Sequence, residues 1–509
     1  MLSPDASNPR SKPLWLAGFS IFVLALAVRL IGLSWGLPHA TRWYSYHPDE
    51  STRQIVGAVA NVLGGDFNPH FFNYPSLSLY ATALIQQVLA VFGFATEASA
   101  SPFPWFAVRD IIVAGRLFSA VCGAATAPLI FSIARQLKLG RWAILAAILA
   151  ALAPGHLQHS HFATVDVPAT FFVTLCLFLT LRAENWRGLL GAAFVAGLAA
   201  GTKYNAGIVL VAPLVQAFLL GGKTGFRSGA ALVAISILGF LISTPYALLA
   251  PGEFWGKPAQ QAGFAYELLV HPREGSGEIF QNTGLGWWYH FSFNLPFILT
   301  WPIVVAALLG IGFALKKREA WPLLAFLGLF FFSLGFSQVR FMRYLLPLVP
   351  TLGLMAALGV SQVRFSRVWG AVLTGFALVG ALNVLWPFTQ TDPRDQVIAA
   401  VPNPKNIVLW HRPWYYSPPT QPQGFNLPVA GIATAERPPG TPDAPFVVSE
   451  LEWREWLRLG RLDIPVVGII ANSSVKPRAR FKNSIPLALP GRAFVPHDYL
   501  YTNPEMRIY

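Results

Sequence analysis

The sequence predicts a polytopic, all-α membrane protein with a small soluble α/β segment at its C-terminal end. Three observations carry that expectation. Of 509 residues, 54% are hydrophobic and only 12% charged, whereas a soluble chain of this length would carry roughly twice that charged share. Apolar runs of about 16 to 25 residues recur as far as residue 388, the lengths a helix needs to cross a bilayer. From Thr389 onward the composition becomes Pro-rich and charged, with short β-like runs. The formal net charge of +14 lies mostly in short loops between apolar segments. It therefore speaks for orientation in a membrane and against a nucleic-acid partner. Cys122 and Cys176 both fall inside apolar segments, so they imply neither a disulfide framework nor a metal cluster.

The apolar segments lie near 14–37, 75–95, 107–136, 142–157, 165–182, 188–205, 206–221, 229–250, 292–315, 320–336, 342–360 and 368–388. The first is too long for an ordinary signal peptide and lacks a small-residue cleavage site, so it reads as an uncleaved span. Alternate loops differ in charge. One set carries Arg135, Lys138 and Arg141; Arg182 and Arg187; Lys223 and Arg227; Lys316, Lys317 and Arg318; and Arg364 and Arg367. The positive-inside rule puts that set in the cytoplasm, and Arg10 and Lys12 put the N-terminus there too. The loop 38–106 is then outside. Returning inside at Lys138 requires an odd number of crossings, yet 75–95 and 107–136 offer two. Segment 75–95 begins at Asn73-Tyr74-Pro75-Ser76 and holds Gln86 and Gln87. It is expected to lie at the interface or to dip in and out.

The count is then about 11–12 helices with about eleven full spans. Residues 1–388 form an integral plasma-membrane domain with outer loops 38–106 and 251–291, the latter suited to a mobile cover. Residues 389–509 form an extracytoplasmic soluble domain. Strands are expected near 406–410, 446–449 and 464–470, and a helix over 450–459.

Chemistry concentrates after the first span, in Tyr44-Ser45-Tyr46-His47-Pro48-Asp49-Glu50. Adjacent acids in an aromatic setting at a membrane surface can supply a general base. They can also cap a helix beginning at Ser51. Asp166, at the outer mouth of the span 165–182, is either a cap, with Pro168 suiting the first turn, or a second active-site acid. Arg53, Arg116, Lys203, Arg340 and Arg343 are cations on the outer side or at membrane depth, where each needs a partner. A lipid phosphate would provide one, and arginine binds it bidentately; interfacial snorkelling is the competing account. Arg29, in the first span, is open to both. His156, His159 and His161 have spacings of three and two, which do not define a zinc site. They read as hydrogen-bonding histidines.

These motifs, in this order, resemble the polyprenyl-phosphate-sugar-dependent glycosyltransferases of the GT-C membrane fold. The nearest relatives are bacterial protein O-mannosyltransferase-like enzymes and the lipid A aminoarabinose transferase. The resemblance is carried by His47-Pro48-Asp49-Glu50, Phe72-Asn73-Tyr74-Pro75-Ser76-Leu77 and Gly115-Arg116-Leu117-Phe118-Ser119-Ala120. Further along come Ala163-Thr164-Val165-Asp166-Val167-Pro168 and Arg343-Tyr344-Leu345-Leu346-Pro347. It spans residues 14–360 and does not extend to the C-terminal domain. It implies Asp49 as general base with Glu50 as its neighbour, Asp166 in the same cavity and Arg116 on the donor phosphate. Tyr74 stands where the aminoarabinose transferase has a lysine, and is counted with Arg53, Lys203 and Arg343 among the substrate-binding residues.

The expected reaction is an inverting transfer of a sugar from a polyprenyl-phosphate donor to an acceptor hydroxyl of a protein, lipid or glycan. It takes place at the outer membrane face, among membrane lipids. No metal is required once the leaving phosphate's charge is held, and a divalent metal stays an option. Two rival classes remain. A transporter or channel would place its working charges near the bilayer midplane on broken helices. A non-catalytic membrane component would act through residues 389–509 and tolerate changes at Asp49.

Overall fold

The structure is a computed structural model that describes residues 14–51, 54–95, 105–221, 225–274, 277–411, 413–419, 445–485 and 494–509. Each apolar segment becomes a helix. They are Leu14–Leu30, Leu77–Val91, Trp105–Gln136, Trp142–Ala151, Asp166–Arg182, Leu189–Ala200, Val211–Leu220, Gly225–Ser243, Trp301–Ala314, Trp321–Leu334, Val349–Ser361 and Ser366–Leu385. Among the described residues, the continuous helical stretches Trp105–Gln136, Met342–Ser361 and Ser366–Ala400 are long and apolar enough to cross a membrane unaided. Six shorter apolar helices of 10–17 residues accompany them.

The helices assemble through small residues. Helix Trp301–Ala314 lies against Val349–Ser361 because a Cβ on Gly310 would collide with the carbonyl oxygen of Met355. Helix Leu189–Ala200 meets Gly225–Ser243 in the same way, Gly197 facing the carbonyl of Ser236. Close backbone approach at small residues is the usual basis of helix association in lipid, where apolar side chains gain little from leaving the bilayer.

Helix Leu77–Val91 has 15 residues, about 22 Å, against a hydrocarbon core of about 30 Å. It buries Leu79, Ala83 and Gln86 and leaves Leu84, Val88 and Val91 exposed. The segment 292–315 is not one straight span. Gly286–Leu299 and Trp301–Ala314 meet at 113°. The break falls at Thr300, whose φ is 74°, and Pro302 follows it in the first turn of the next helix, where a missing N–H is tolerated.

The C-terminal segment holds a four-stranded sheet of β1 (Val408–Leu409), β2 (Phe446–Ser449), β3 (Ala479–Phe481) and β4 (Met506–Ile508), in the order β1-β2-β4-β3. β1 and β2 are parallel, and β4 runs antiparallel to both its neighbours, pairing Val447 with Ile508. Alternating side chains serve two cores. Val408, Phe446 and Val448 pack with Trp453 and Val467, while Leu409, Val447 and Ile508 pack with Val397 and Val401. Helix Glu450–Arg458 starts at a capping box of Ser449 and Glu452.

The strand expected over 464–470 is instead helix Pro465–Ala471. Pro465 at its first position presets helical φ and would leave a gap in a ladder. The C-terminal segment is also joined closely to the membrane part. Arg42 pairs with Asp395 at 3.2 Å, and the Tyr46 hydroxyl donates to the same carboxylate at 2.5 Å. Arg458 ties helix Glu450–Arg458 to the outer loop through the carbonyls of Ile279 and Gln281, both at 2.9 Å.

Candidate active site

The stretch Tyr44–Glu50 folds into a tight turn closed by its own histidine. The Glu50 N–H donates to the His47 carbonyl at 3.2 Å, and the Asp49 N–H to His47 Nδ1 at 3.2 Å. Neighbouring residues in such a turn point apart, so the two acids take different fates. Glu50 turns inward and is fully enclosed. Its carboxylate accepts from Arg116 Nε at 2.9 Å and Nη2 at 2.7 Å, from the Ala163 N–H at 2.6 Å and from the Ser45 hydroxyl. Burial pushes the Glu50 carboxyl up, but the Arg116 charge and these hydrogen bonds outweigh it and hold it below its ordinary value.

Arg116 spends its remaining donors on the carbonyls of Leu33 and Trp35, at 2.8 and 2.6 Å. This corrects two expectations. Arg116 holds a protein carboxylate and, with its Nη2 also on the Ser45 hydroxyl at 3.3 Å, has no donor left for a lipid phosphate, and Glu50 is an enclosed structural anchor that lines neither of the site's two cavities. An arginine at this depth needs an anion, and the chain itself supplies it.

Asp49 turns the other way. Its Oδ2 lies 3.4 Å from Arg343 Nη2 and has no hydrogen-bond partner among the described residues. Burial raises its carboxyl above the usual value, and the Arg343 charge offsets this only in part. Arg343 also reaches Asp166 Oδ2, 3.9 Å from its Nε, and Asp498 Oδ2, 3.8 Å from its Nη1. Asp166 in turn binds Lys203 Nζ at 2.6 Å. Asp49, Asp166, Asp498, Arg343 and Lys203 thus form one charged cluster drawn from the first loop, a helix start, two helical turns and the C-terminal tail. Among the described residues no three His, Cys, Asp or Glu side chains are arranged as a metal site. The three aspartates face cations of the protein instead.

Two cavities meet at this cluster. One, of about 390 Å³, has Asp49, Arg343, Gln54, Tyr74, Trp414 and Tyr501 in its wall. The other, of about 560 Å³, is bounded by Lys203, Arg273, Tyr204, Phe264, Phe336 and Tyr344 and is the more apolar. They share Asn73, Tyr74, Glu267, His271 and Tyr344. Lys203 Nζ sits 4.2 Å over the Tyr344 ring, and the guanidinium of Arg273 makes no ion pair among the described residues. Glu267 accepts from the Asn73 amide at 3.1 Å, and burial pushes its carboxyl up to about 7.

Of the expected site residues, the fold therefore brings together Asp49, Asp166, Tyr74, Lys203 and Arg343, diverts Glu50 and Arg116 into a buried pair, and leaves Arg53 outside the described residues. Arg340 also turns away, to Thr283 Oγ1 and the Gly284 carbonyl, both at 2.7 Å. Arg29, His156 and His161 hydrogen-bond within the fold as expected, whereas His159 makes no side-chain hydrogen bond among the described residues. Arg29 donates to Ser160 and contacts His156, His161 contacts the carbonyls of Leu157 and Ile31, and His159 lies 3.7 Å from Asp498. Sequence reasoning missed Asp498, Glu267, Arg273 and the Trp414-Tyr415 pair. Asp498 did carry a signal, since Pro496-His497-Asp498-Tyr499 repeats the proline, histidine, acid and aromatic mixture around Asp49.

Residues 107–248 match the family model of dolichyl-phosphate-mannose-protein mannosyltransferases. Among solved structures, the oligosaccharyltransferase AglB of Archaeoglobus fulgidus, in complex with an inhibitory peptide and a dolichol-phosphate, is similar at 13% identity. The match covers 90% of this chain and 74% of that one, with a TM-score of 0.52. ArnT of Cupriavidus metallidurans in the apo state is 17% identical over 74% of this chain, which spans 65% of ArnT's length, with a TM-score of 0.47. The S. cerevisiae protein O-mannosyltransferase Pmt1-Pmt2 complex, bound to the sugar donor, is 19% identical over 49% of this chain and 36% of that one, with a TM-score of 0.36. No curated protein sequence matches this chain. The fold shared with the archaeal structure is the GT-C membrane fold. The stretch that matches the mannosyltransferase family model, residues 107–248, lies inside that shared fold.

Proposed function

We propose that this chain moves a sugar from a polyprenyl-phosphate donor to an acceptor hydroxyl at the outer face of the membrane, with Asp49 as general base. The observation that carries this reading is the placement of Asp49. It lines one cavity with a carboxylate oxygen that accepts no hydrogen bond among the described residues and meets only the Arg343 charge, and that cavity shares five residues with an apolar one bearing Lys203 and Arg273. In this scheme the lipid chain lies along Phe264, Phe336 and Tyr204, and the phosphate meets Lys203 and Arg273. The sugar reaches past Tyr74 towards Asp49.

The acceptor oxygen attacks the anomeric carbon as Asp49 takes its proton, and the bond from that carbon to the phosphate oxygen breaks. Configuration inverts in this single displacement. The released polyprenyl phosphate keeps the bonding pair, and its charge is balanced by Lys203 and Arg273, with Arg343 beside Asp49. Asp166 positions Lys203 through their 2.6 Å contact. The scheme needs no divalent metal, because the leaving group's charge is met by side chains.

Orientation follows from the loops. The cation-rich set is cytoplasmic, and the site, with the C-terminal segment over it, is extracytoplasmic. A transporter would gather charge at a broken helix, but the break between Leu299 and Trp301 has apolar neighbours and Pro302. The test is a proteoliposome assay with a radiolabelled polyprenyl-phosphate sugar. Transfer of label to a hydroxyl acceptor, insensitive to chelator, is the expected result. Solute flux without transfer would overturn the reading.

A further inference from the structure

The cavity beside Asp49 has an outer wall that the catalytic scheme does not use, and the C-terminal segment builds it. Trp414 and Tyr415 stand on one side, their rings 5.1 Å apart at 83°, and Trp414 is 39% exposed. Tyr415 meets Tyr501 edge-on at 5.7 Å. A single arginine fixes this wall. Arg394, held by Asp392 at 2.7 and 2.8 Å, donates to the carbonyls of both Tyr415 and Tyr501. The backbone under both tyrosines is thus set before anything binds, which lowers the ordering loss on association.

The polar side of the same cavity is lined by Gln54, His497 and Asp49, whose buried Oε1, Nδ1 and Oδ2 atoms accept or donate no hydrogen bond among the described residues. Buried polar atoms are normally satisfied, so unsatisfied ones on three residues that line one cavity point to a ligand with several hydroxyls.

From this wall we infer that the acceptor is a carbohydrate, its apolar ring face stacked on Trp414 and its hydroxyls bound by Gln54, His497 and Asp49. A pyranose combines one apolar face with a rim of donors that are also acceptors, which is what a fixed ring beside lone amide and imidazole atoms complements. A peptide acceptor fits less well, because extended peptides bind by adding to a strand edge and none of the lining residues lies in a strand. A lipid acceptor would choose the more apolar neighbouring cavity. The inference rests on the proposed transfer reaction and names the substrate class of that same site.

Two measurements on the full chain in nanodiscs separate the inference from that reading. The first is saturation-transfer NMR with methyl glycosides of mannose, glucose and galactose, which needs no turnover. At least one should bind, and Trp414→Ala should weaken it by tenfold or more, with Trp414→Phe largely retaining it. No binding of any glycoside, or binding unchanged in Trp414→Ala and in Gln54→Ala, overturns the carbohydrate site. The second offers radiolabelled polyprenyl-phosphate mannose together with the bound glycoside, a serine- and threonine-containing decapeptide and a diacylglycerol. Label in the glycoside supports the inference. Label in the peptide or the lipid alone overturns it while leaving the transferase reading intact. Glycoside binding with no transfer to any acceptor would instead sink the transferase reading.

Discussion

Asp498 holds Arg343 from behind. Its carboxylate accepts the backbone N–H of Arg343 at 3.0 Å and of Met342 at 3.2 Å, and lies 3.8 Å from the same arginine's Nη1. Asp498 thereby fixes both the backbone and the charge of the arginine that pairs with Asp49. Asp498→Ala should leave two buried N–H groups unpaired, a loss of about 1–3 kcal/mol each, and should free the Arg343 side chain. The expected outcome is a lowered Tm in detergent together with transfer reduced at least tenfold per folded molecule. Asp498→Asn, which keeps one acceptor oxygen, should recover part of the stability. Wild-type transfer by a folded Asp498→Ala protein would show that Arg343 needs no such support.

Glu50 and Arg116 make the opposite kind of pair, enclosed and absent from the walls of both cavities. Arg116→Met should destabilise the protein by about 3–5 kcal/mol because it strands a buried carboxylate. The double variant Glu50→Met with Arg116→Met should be milder than either single change, since both charges go together. Tm values of the four proteins check this, and surviving donor binding in folded Arg116→Met would confirm that Arg116 is no phosphate ligand. The pH dependence has a definite sign. Glu50 is held below its ordinary value, so its contribution is present above about pH 4.3 and is lost as pH falls through the lowered folded value.

The apolar lengths made the helices legible, and charges stranded in apolar surroundings pointed to Asp49, Asp166, Lys203 and Arg343. Partnership was not legible. Glu50 and Arg116 are 66 residues apart, Asp166 and Lys203 are 37 apart, and Arg343 and Asp498 are 155 apart. Which cation meets which acid depends on how helices cross, and local pattern does not encode that. Arg116 drew a phosphate assignment because depth alone says that a partner exists and not which one. The stretch 464–470 is rich in β-branched residues, and a reading by propensity favoured a strand; Pro465 decided for a helix. Asp498 lay in a region read as a separate domain, so its proline, histidine and aromatic neighbours were not set beside those of Asp49.

Glu267 gives the site a pH response near neutrality. Burial pushes its carboxyl up to about 7, and it stands in the wall shared by both cavities. With the folded value raised, the stabilising share is fully present below about pH 4.3 and is lost as pH rises through about 7. The sugar-phosphate diester of the donor keeps one negative charge throughout this range, so ionised Glu267 repels it. Donor affinity should fall about threefold to tenfold between pH 6 and pH 8, as for like charges several ångströms apart near a protein surface. Glu267→Gln should bind with a flat profile at the higher affinity. Donor Kd values at both pH values, for the wild type and the variant, decide it, and a profile unchanged by the substitution would remove Glu267 from the donor path.

Asp49 carries the strongest expectation. Asparagine has nearly the same size as aspartate, and the turn at His47 is held through the backbone N–H groups of residues 49 and 50, so Asp49→Asn leaves that turn intact. What it removes, in the proposed reaction, is the proton acceptor and a negative charge beside the sugar. General-base assistance is worth about 10²–10⁴ in rate, and transfer should fall by at least that lower figure with donor Kd little changed. Burial holds the Asp49 carboxyl above its ordinary value, and the base form is the ionised one. Wild-type turnover should therefore rise with pH through that raised value, and the residual rate of Asp49→Asn should lack this limb. Asp166→Asn disturbs Lys203 rather than the proton acceptor, so its loss should appear first in donor Kd. If Asp49→Asn retained near wild-type turnover while Asp166→Asn abolished it with donor Kd unchanged, the base would be Asp166.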